Sequence, residues 1–155
     1  MQKGDYMKRL IMIGVVILLS MGLFGATATV SLTGTIPSAV EITFTEQNLP
    51  LDLTTTVVDT TIGVITEKAN TGYNITVSST NAGKLIGNAT AEELVYTAKY
   101  DGVAITLSST AVEILANGVK TSGVDKIFTI SYTIVAYELS PDLYEYDLVF
   151  VITAN

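Results

Sequence analysis

The stretch Tyr96-Thr-Ala-Lys-Tyr-Asp-Gly-Val-Ala-Ile-Thr-Leu107 carries the strongest structural signal in this chain of 155 residues. Its centre, Asp101-Gly102, favours a two-residue type I′ turn, because both central positions of that turn need a positive φ. The turn predicts a β-hairpin and fixes its register. The expected pairs are Tyr100 with Val103, Lys99 with Ala104, Ala98 with Ile105, Thr97 with Thr106 and Tyr96 with Leu107. Apolar residues meet apolar ones across this hairpin, as a half-buried strand pair requires.

Alternation of apolar and polar residues continues in both directions from the hairpin and predicts further strands. Upstream, Val40, Ile42 and Phe44 share one face, and Ile62, Val64 and Thr66 alternate with Gly63, Ile65 and Glu67. A turn at Asn70-Thr71-Gly72 then predicts a second hairpin leading into Tyr73, Ile75 and Val77. Downstream, the pattern predicts a short strand over Val112 to Leu115 and a long one over Lys126 to Tyr137, with Phe128, Ile130, Tyr132 and Ile134 on one side.

The last segment places Tyr146, Leu148, Phe150 and Ile152 on one face. Val149 and Val151 make its second half apolar on both faces, which predicts a strand covered on two sides. In all, about nine short strands at regular spacing predict an all-β fold, an immunoglobulin-like β-sandwich of about 7 to 9 mostly antiparallel strands. A closed barrel is the alternative.

The first 28 residues have the pattern of a cleavable signal peptide. Lys8 and Arg9 precede the apolar run from Leu10 to Phe24, and small residues end the segment at Ala28. A retained membrane anchor is the alternative, but the run is short of the roughly 20 apolar residues that a membrane-spanning helix needs. Met1 and Met7 are both plausible starts. The expected organisation is a signal peptide over 1–28 and one domain over 29–155.

Composition excludes several classes of function. Residues 29–155 contain five basic and fourteen acidic residues, and the scattered lysines give no surface for nucleic acid or anionic lipid. The chain has no Cys and no His, so disulfides, thiolate metal sites, cofactor ligands of these types and the commonest general base are absent. The acids at Glu92-Glu93 and between Asp142 and Asp147 indicate neither a glycosidase pair nor a regular calcium loop. We therefore predict a protein without catalytic activity, metal or cofactor.

Seven tyrosines lie on or beside the predicted strands, and two interpretations are open for them. They could form a sugar-stacking face, or they could pack in the core. The phase of Tyr96, Tyr100 and Tyr132 in their strands favours the core.

Three stretches resemble the pilin subunits of bacterial chaperone-usher fimbriae and the related spore coat protein U domains. They are Thr29-Val-Ser-Leu-Thr-Gly-Thr-Ile36, Asn70-Thr-Gly-Tyr-Asn-Ile-Thr-Val-Ser-Ser79 and Tyr144-Glu-Tyr-Asp-Leu-Val-Phe-Val-Ile-Thr-Ala-Asn155. The resemblance implies export through the periplasm to the cell surface, with a periplasmic chaperone, an outer-membrane usher and copies of the same or related subunits as partners. It also implies that the C-terminal strand, with Tyr146, Leu148, Phe150 and Ile152, pairs with the chaperone or with another subunit.

In such families an N-terminal extension of one subunit completes the sheet of the next. The candidate here is residues 29–36, in which Val30, Leu32, Gly34 and Ile36 share one face. The alternative is that this segment is the first strand of its own sheet. The expected function is a structural subunit of a fimbria or surface coat that assembles by strand donation. A monomeric secreted binding module, adhesin-like and specific for a glycan or a protein, is the competing interpretation.

Overall fold

The computed structural model describes residues 29–135 and 138–155. The chain divides into two units, Met1–Thr35 and Ile36–Asn155. The predicted signal peptide lies outside the described residues. The long strand predicted over Lys126 to Tyr137 is observed over Thr121–Tyr132, so its predicted bounds are wrong and Ile134 lies beyond its end, while Tyr137 is outside the described residues. Residues 29–39 contain no regular secondary structure. The described part of the chain contains no helix able to cross a bilayer.

The second unit contains ten strands in its described residues. They are β1 Val40–Glu46, β2 Val57–Ala69, β3 Tyr73–Ser79, β4 Lys84–Gly87, β5 Glu93–Tyr100, β6 Val103–Ile105, β7 Val112–Gly118, β8 Thr121–Tyr132, β9 Tyr144–Glu145 and β10 Leu148–Ala154.

The strands form two antiparallel sheets. The larger sheet has the order β1-β2-β8-β5-β4-β9, with β6 also paired to β5, and the smaller one has the order β10-β3-β7. Side chains of both sheets meet in one core, where Phe128 and Ile130 of β8 pack near Leu115 of β7 and Phe150 of β10. The all-β, antiparallel, sandwich-like fold predicted from the sequence is confirmed at this level.

The hairpin at Asp101-Gly102 forms as predicted over its first three pairs, Tyr100 with Val103, Lys99 with Ala104 and Ala98 with Ile105. Asp101 has φ 49° and Gly102 has φ 80°, as the turn requires. The two outer pairs, Thr97 with Thr106 and Tyr96 with Leu107, are wrong. The reason is competition for one strand edge, because β4 pairs with the first half of β5 and the Tyr96 amide donates to the Gly83 carbonyl at 2.9 Å.

The predicted hairpin at Asn70-Thr71-Gly72 is also wrong. β2 and β3 flank this turn but belong to different sheets, so the turn is a corner between the two layers. Hydrogen bonds to other parts of the chain hold it: the Asn70 side chain donates to the Pro37 carbonyl and accepts from the Ala39 amide, and the Gly72 carbonyl accepts from the Asn155 amide. These partners are remote in sequence, and local turn chemistry therefore does not reveal the crossing.

The alternation predicted for β2 changes phase at an irregularity. The pairing of β2 with β8 shifts register between Thr61 and Gly63, so that Ile62 and Ile65 both face the core. An extra residue of this kind reverses the faces that follow it. Glu67, on the same phase as Ile65, is consequently fully buried.

Candidate functional site

β10 is one of the two edge strands of the smaller sheet, and its inner face packs against the core. The Phe150 ring lies 5.9 Å from the ring of Phe44 and 5.3 Å from that of Phe128. Leu148 and Ile152 are also partly buried against core residues. Tyr146, just before the strand, lies 5.1 Å from the ring of Tyr96. The four side chains predicted to share one face of this segment therefore contact the core.

The outer face of β10 is open. Val149 is 52% exposed and Val151 is 48% exposed. The prediction that this half of the strand is covered on both sides is therefore wrong, because no second layer of the described chain lies over this face.

The main-chain groups of β10 show which residues face the open edge. In an antiparallel pair, residues that exchange hydrogen bonds with the partner strand alternate with residues whose N–H and C=O point the other way. The Thr80 amide donates to the Asp147 carbonyl at 3.1 Å, and the Asn155 amide donates to the Gly72 carbonyl at 2.9 Å. Positions 147 and 155 therefore bond toward β3, as do the alternate positions between them. The groups that point to the open edge belong to Leu148, Phe150, Ile152 and Ala154.

The candidate donor segment, residues 29–36, is exposed and forms no strand. Val30 is 78% exposed, Leu32 is 92% exposed and Ile36 is 90% exposed. A Cβ added at Gly34 would meet no atom within 4 Å. Its alternating apolar face is thus accessible, whereas its role as a donor stays a prediction.

An open groove lies at the end of the second unit where β1 ends and β10 begins. Its volume is about 1000 Å³, and it is lined by acidic, apolar and uncharged polar side chains with no Lys or Arg among them. Four carboxylates contribute to it, those of Glu46, Asp142, Glu145 and Asp147. We call this feature the acidic groove. Sequence reasoning missed it, because its walls come from three separate stretches of the chain, 46–53, 80–88 and 142–147, that only the folded chain brings together.

Two carboxylates fix the loops beside the acidic groove. Asp142 accepts hydrogen bonds from the amides of Ala89 and Thr90 through Oδ2 and from the amide of Leu143 through Oδ1. The Thr90 amide, first among these donors, lowers the pKa of Asp142. Glu92 likewise accepts from the amide and hydroxyl of Ser140, and these donors lower its pKa. Both groups are therefore ionised anchors of loop structure.

Glu93, next to Glu92 in sequence, binds Lys84 instead, so the two neighbouring acids have different partners. No group of three or more metal-ligating side chains occurs in the residues that the structure describes. The three tyrosines predicted to pack in the core, Tyr96, Tyr100 and Tyr132, are each 4% exposed, which confirms that interpretation.

Glu67 is a buried acid that sequence reasoning did not single out. Its Oε2 accepts a hydrogen bond of 2.6 Å from the Tyr73 hydroxyl, while its Oε1 has no partner in the described chain. Burial raises the pKa of Glu67, although the bond from Tyr73 opposes this. Burial and the nearby Glu67 raise the pKa of Tyr73 to about 12. The pair ties β2 of one sheet to β3 of the other.

Comparison with known proteins gives no assignment: the chain matches no protein-family model, and no curated protein sequence is significantly similar to it.

Proposed function

We propose that this protein is an exported structural subunit of a bacterial fimbria or surface coat, and that its subunits join by β-strand donation. The observation that carries the proposal is the combination of an exposed, alternating apolar segment at 29–36 with an edge of β10 that pairs with no other strand in the described part of the chain. An edge strand with unsatisfied main-chain groups is a template for another strand. A segment that alternates with period two is the form of ligand that such an edge accepts.

The energetics support this pairing. Each of Val30, Leu32 and Ile36 is exposed in the single chain, and burial of an apolar side chain of this size contributes about 1.5 to 3 kcal/mol. Each hydrogen bond made to the edge of β10 adds about 0.5 to 1.5 kcal/mol net. In the isolated chain these side chains and the edge of β10 are exposed to water. The stabilising free energy is therefore released only when subunits associate.

The proposal includes the type of sandwich, the cleavage of the signal peptide and the partners in assembly. The two antiparallel sheets support an immunoglobulin-like sandwich in which β10 is the edge that receives the donor. Removal of residues 1–28 during export makes Thr29 the new N-terminus, so the mature chain begins with the donor segment. Before assembly, a periplasmic chaperone would cover the edge of β10, and an outer-membrane usher would direct the exchange of chaperone for subunit.

A pair of triple variants of the full chain tests the proposal. In the first, Val30, Leu32 and Ile36 become Ser; in the second, the matched control, Thr29, Thr33 and Thr35 become Ser. Surface material from producing cells is warmed gently in detergent and separated by size, since strand-exchanged polymers give a ladder of multimers. We expect the ladder to disappear in the first variant and to persist in the control. A ladder that survives loss of the apolar face would refute strand donation by this segment.

A further inference from the structure

The acidic groove has a chemical counterpart at the opposite end of the same unit. β7 ends at Gly118 and β8 begins at Thr121, so Val119 and Lys120 form the two-residue connection between the sheets. Both residues are exposed, and Val119 is 77% exposed. The connection thus exposes one apolar and one cationic residue that are adjacent in the sequence. We call it the Val119–Lys120 turn.

Lys120 differs from the other lysines after residue 28. Each of those is in an ion pair: Lys68 with Glu41, Lys84 with Glu93, Lys99 with Asp59 and Lys126 with Asp101. Lys120 makes no ion pair within residues 29–135 and 138–155. Its charge is therefore available to a partner.

The acidic groove offers matching groups. Asp142 is engaged by backbone amides, and Glu145 accepts a hydrogen bond from Asn88, so these two carboxylates maintain the walls. Glu46 and Asp147 are exposed and form no hydrogen bond or ion pair through their side chains within the described chain. Leu49 is 39% exposed and Leu143 is 60% exposed, which gives the groove an apolar surface beside its charge.

We propose that the Val119–Lys120 turn of one copy docks in the acidic groove of a second copy, so that subunits stack head to tail. Lys120 then faces Glu46 and Asp147, and Val119 packs against the leucines of the groove wall. The occupant is a second copy of this chain, because a cation and an apolar side chain that complement the lining of the groove occur together at the opposite end of the unit. Complementary charge at such a contact speeds association and fixes its orientation more than it adds affinity.

This inference rests on the proposed function, since it describes how the subunits of the assembly meet. It is also consistent with the place where the donor segment leaves the second unit. Ala39 and Lys120 line one hollow of about 450 Å³, so the chain just after Ile36 lies beside the docking turn. A docked neighbour therefore presents the start of its β10, next to Asp147, to the end of the donor segment. An added strand that enters there runs antiparallel to β10.

Engineered cysteines test the contact cleanly, because the chain has no Cys of its own. One full-length preparation carries Lys120→Cys and another carries Asp147→Cys, and the two are mixed under assembly conditions and then oxidised. We expect disulfide-linked heterodimers from this pair. The matched control pairs Lys120→Cys with Glu113→Cys, which lies on β7 away from the groove, and should give few. Equal yields from both pairs would overturn the proposed docking.

Charge exchange provides the second readout. Lys120→Glu should slow polymer growth at low salt by at least about fivefold, and the double variant K120E/D147K should restore most of the rate. Glu113→Lys makes the same change of charge as Asp147→Lys but should not rescue K120E. Growth of K120E at the parent rate would overturn the inference while leaving strand donation intact, whereas polymers that survive loss of the apolar donor face would refute the proposed function itself.

Discussion

The N-terminal segment 29–36 and the C-terminal strand β10 have the same kind of sequence and different surroundings. Each has apolar residues at every second position along one face. Polar residues separate most of them in 29–36, whereas Val149 and Val151 lie between them in β10. Leu32, at the middle of the first, is 92% exposed, whereas Phe150, at the middle of the second, stacks on Phe44 and packs edge-on against Phe128. Alternation enables a segment to join a sheet. It does not determine which sheet the segment joins, or whether that sheet belongs to the same chain or to another copy.

The largest effect that separates the two regions is expected from truncating their central side chains. Phe150→Ala removes a ring from an aromatic cluster in the core and should lower the free energy of unfolding by about 3 to 5 kcal/mol. Leu32→Ala, the matched control in the exposed segment, should change it by less than about 0.5 kcal/mol. Urea unfolding of the monomeric chain measures both. A large loss of stability in the Leu32 variant would show that this segment is already packed within its own chain.

Leu32→Ala, which should hardly change the free energy of unfolding, should have a large effect on association between subunits. Loss of one buried leucine at a donated strand should weaken binding between subunits by about 1.5 to 3 kcal/mol, which corresponds to about 10- to 150-fold. Thr33→Ala, on the opposite face, should weaken it far less. The extent of polymer formation at a series of protein concentrations gives the comparison. Equal effects at the two positions would contradict a donor that presents one face.

A third prediction concerns the proton on Glu67, which supports β10 indirectly, because Tyr73 both binds Glu67 and pairs with Ala154. Burial raises the pKa of Glu67 above its ordinary value of 4.5. The stabilisation that protonated Glu67 provides is therefore complete below pH 4.5 and is lost as the pH rises through the raised pKa. Glu67→Gln cannot ionise and should gain stability over the parent as the pH increases from about 4 to 8.

Thermal unfolding across that pH range measures the gap between parent and variant. Glu113→Gln, at an exposed position, serves as the control and should show no growing gap. A gap that stays constant with pH would mean that Glu67 titrates as an ordinary exposed carboxyl.

The smallest effect is expected on the outer face of β10. Val151→Thr exchanges a half-exposed side chain for one of similar shape and equal preference for strands, and should change the free energy of unfolding by less than about 0.5 kcal/mol. Chemical denaturation of the monomer, with Phe150→Ala as reference, checks this. A cost above about 1.5 kcal/mol would indicate that another layer covers the outer face.

Most of the strands could be predicted because alternation and turn chemistry are local. The phase of Phe128, Ile130 and Tyr132 in β8 follows from the side-chain period of two, and the turn at Asp101-Gly102 follows from its need for positive φ. β2 was less predictable. Its irregularity near Ile62 places Ile65 and Glu67 inside, and nothing in the local pattern marks the extra residue.

Some parts of the candidate site could be predicted from the sequence, and others could not. The exposed apolar face of 29–36 and the inward face of β10 are periodic and could be recognised in the sequence. The acidic groove and its counterpart at the Val119–Lys120 turn could not, because each depends on which connections meet at an end of the sandwich. Residues as distant as Glu46 and Asp147 share the groove only through the pairing of strands between them.

The sequence by itself determined that this chain forms antiparallel strands, where its tightest hairpin turns and which faces of its strands are apolar. These properties depend on neighbours within a few residues, through backbone dihedral preferences and the alternation of side chains. The tertiary structure decided that Asn70–Gly72 crosses between the sheets, that β4 displaces part of the hairpin from the edge of β5, and that one side of β10 has no partner strand among the described residues. Each of those outcomes depends on which distant strands pair with one another, and that pairing is settled only when the whole sheet has formed.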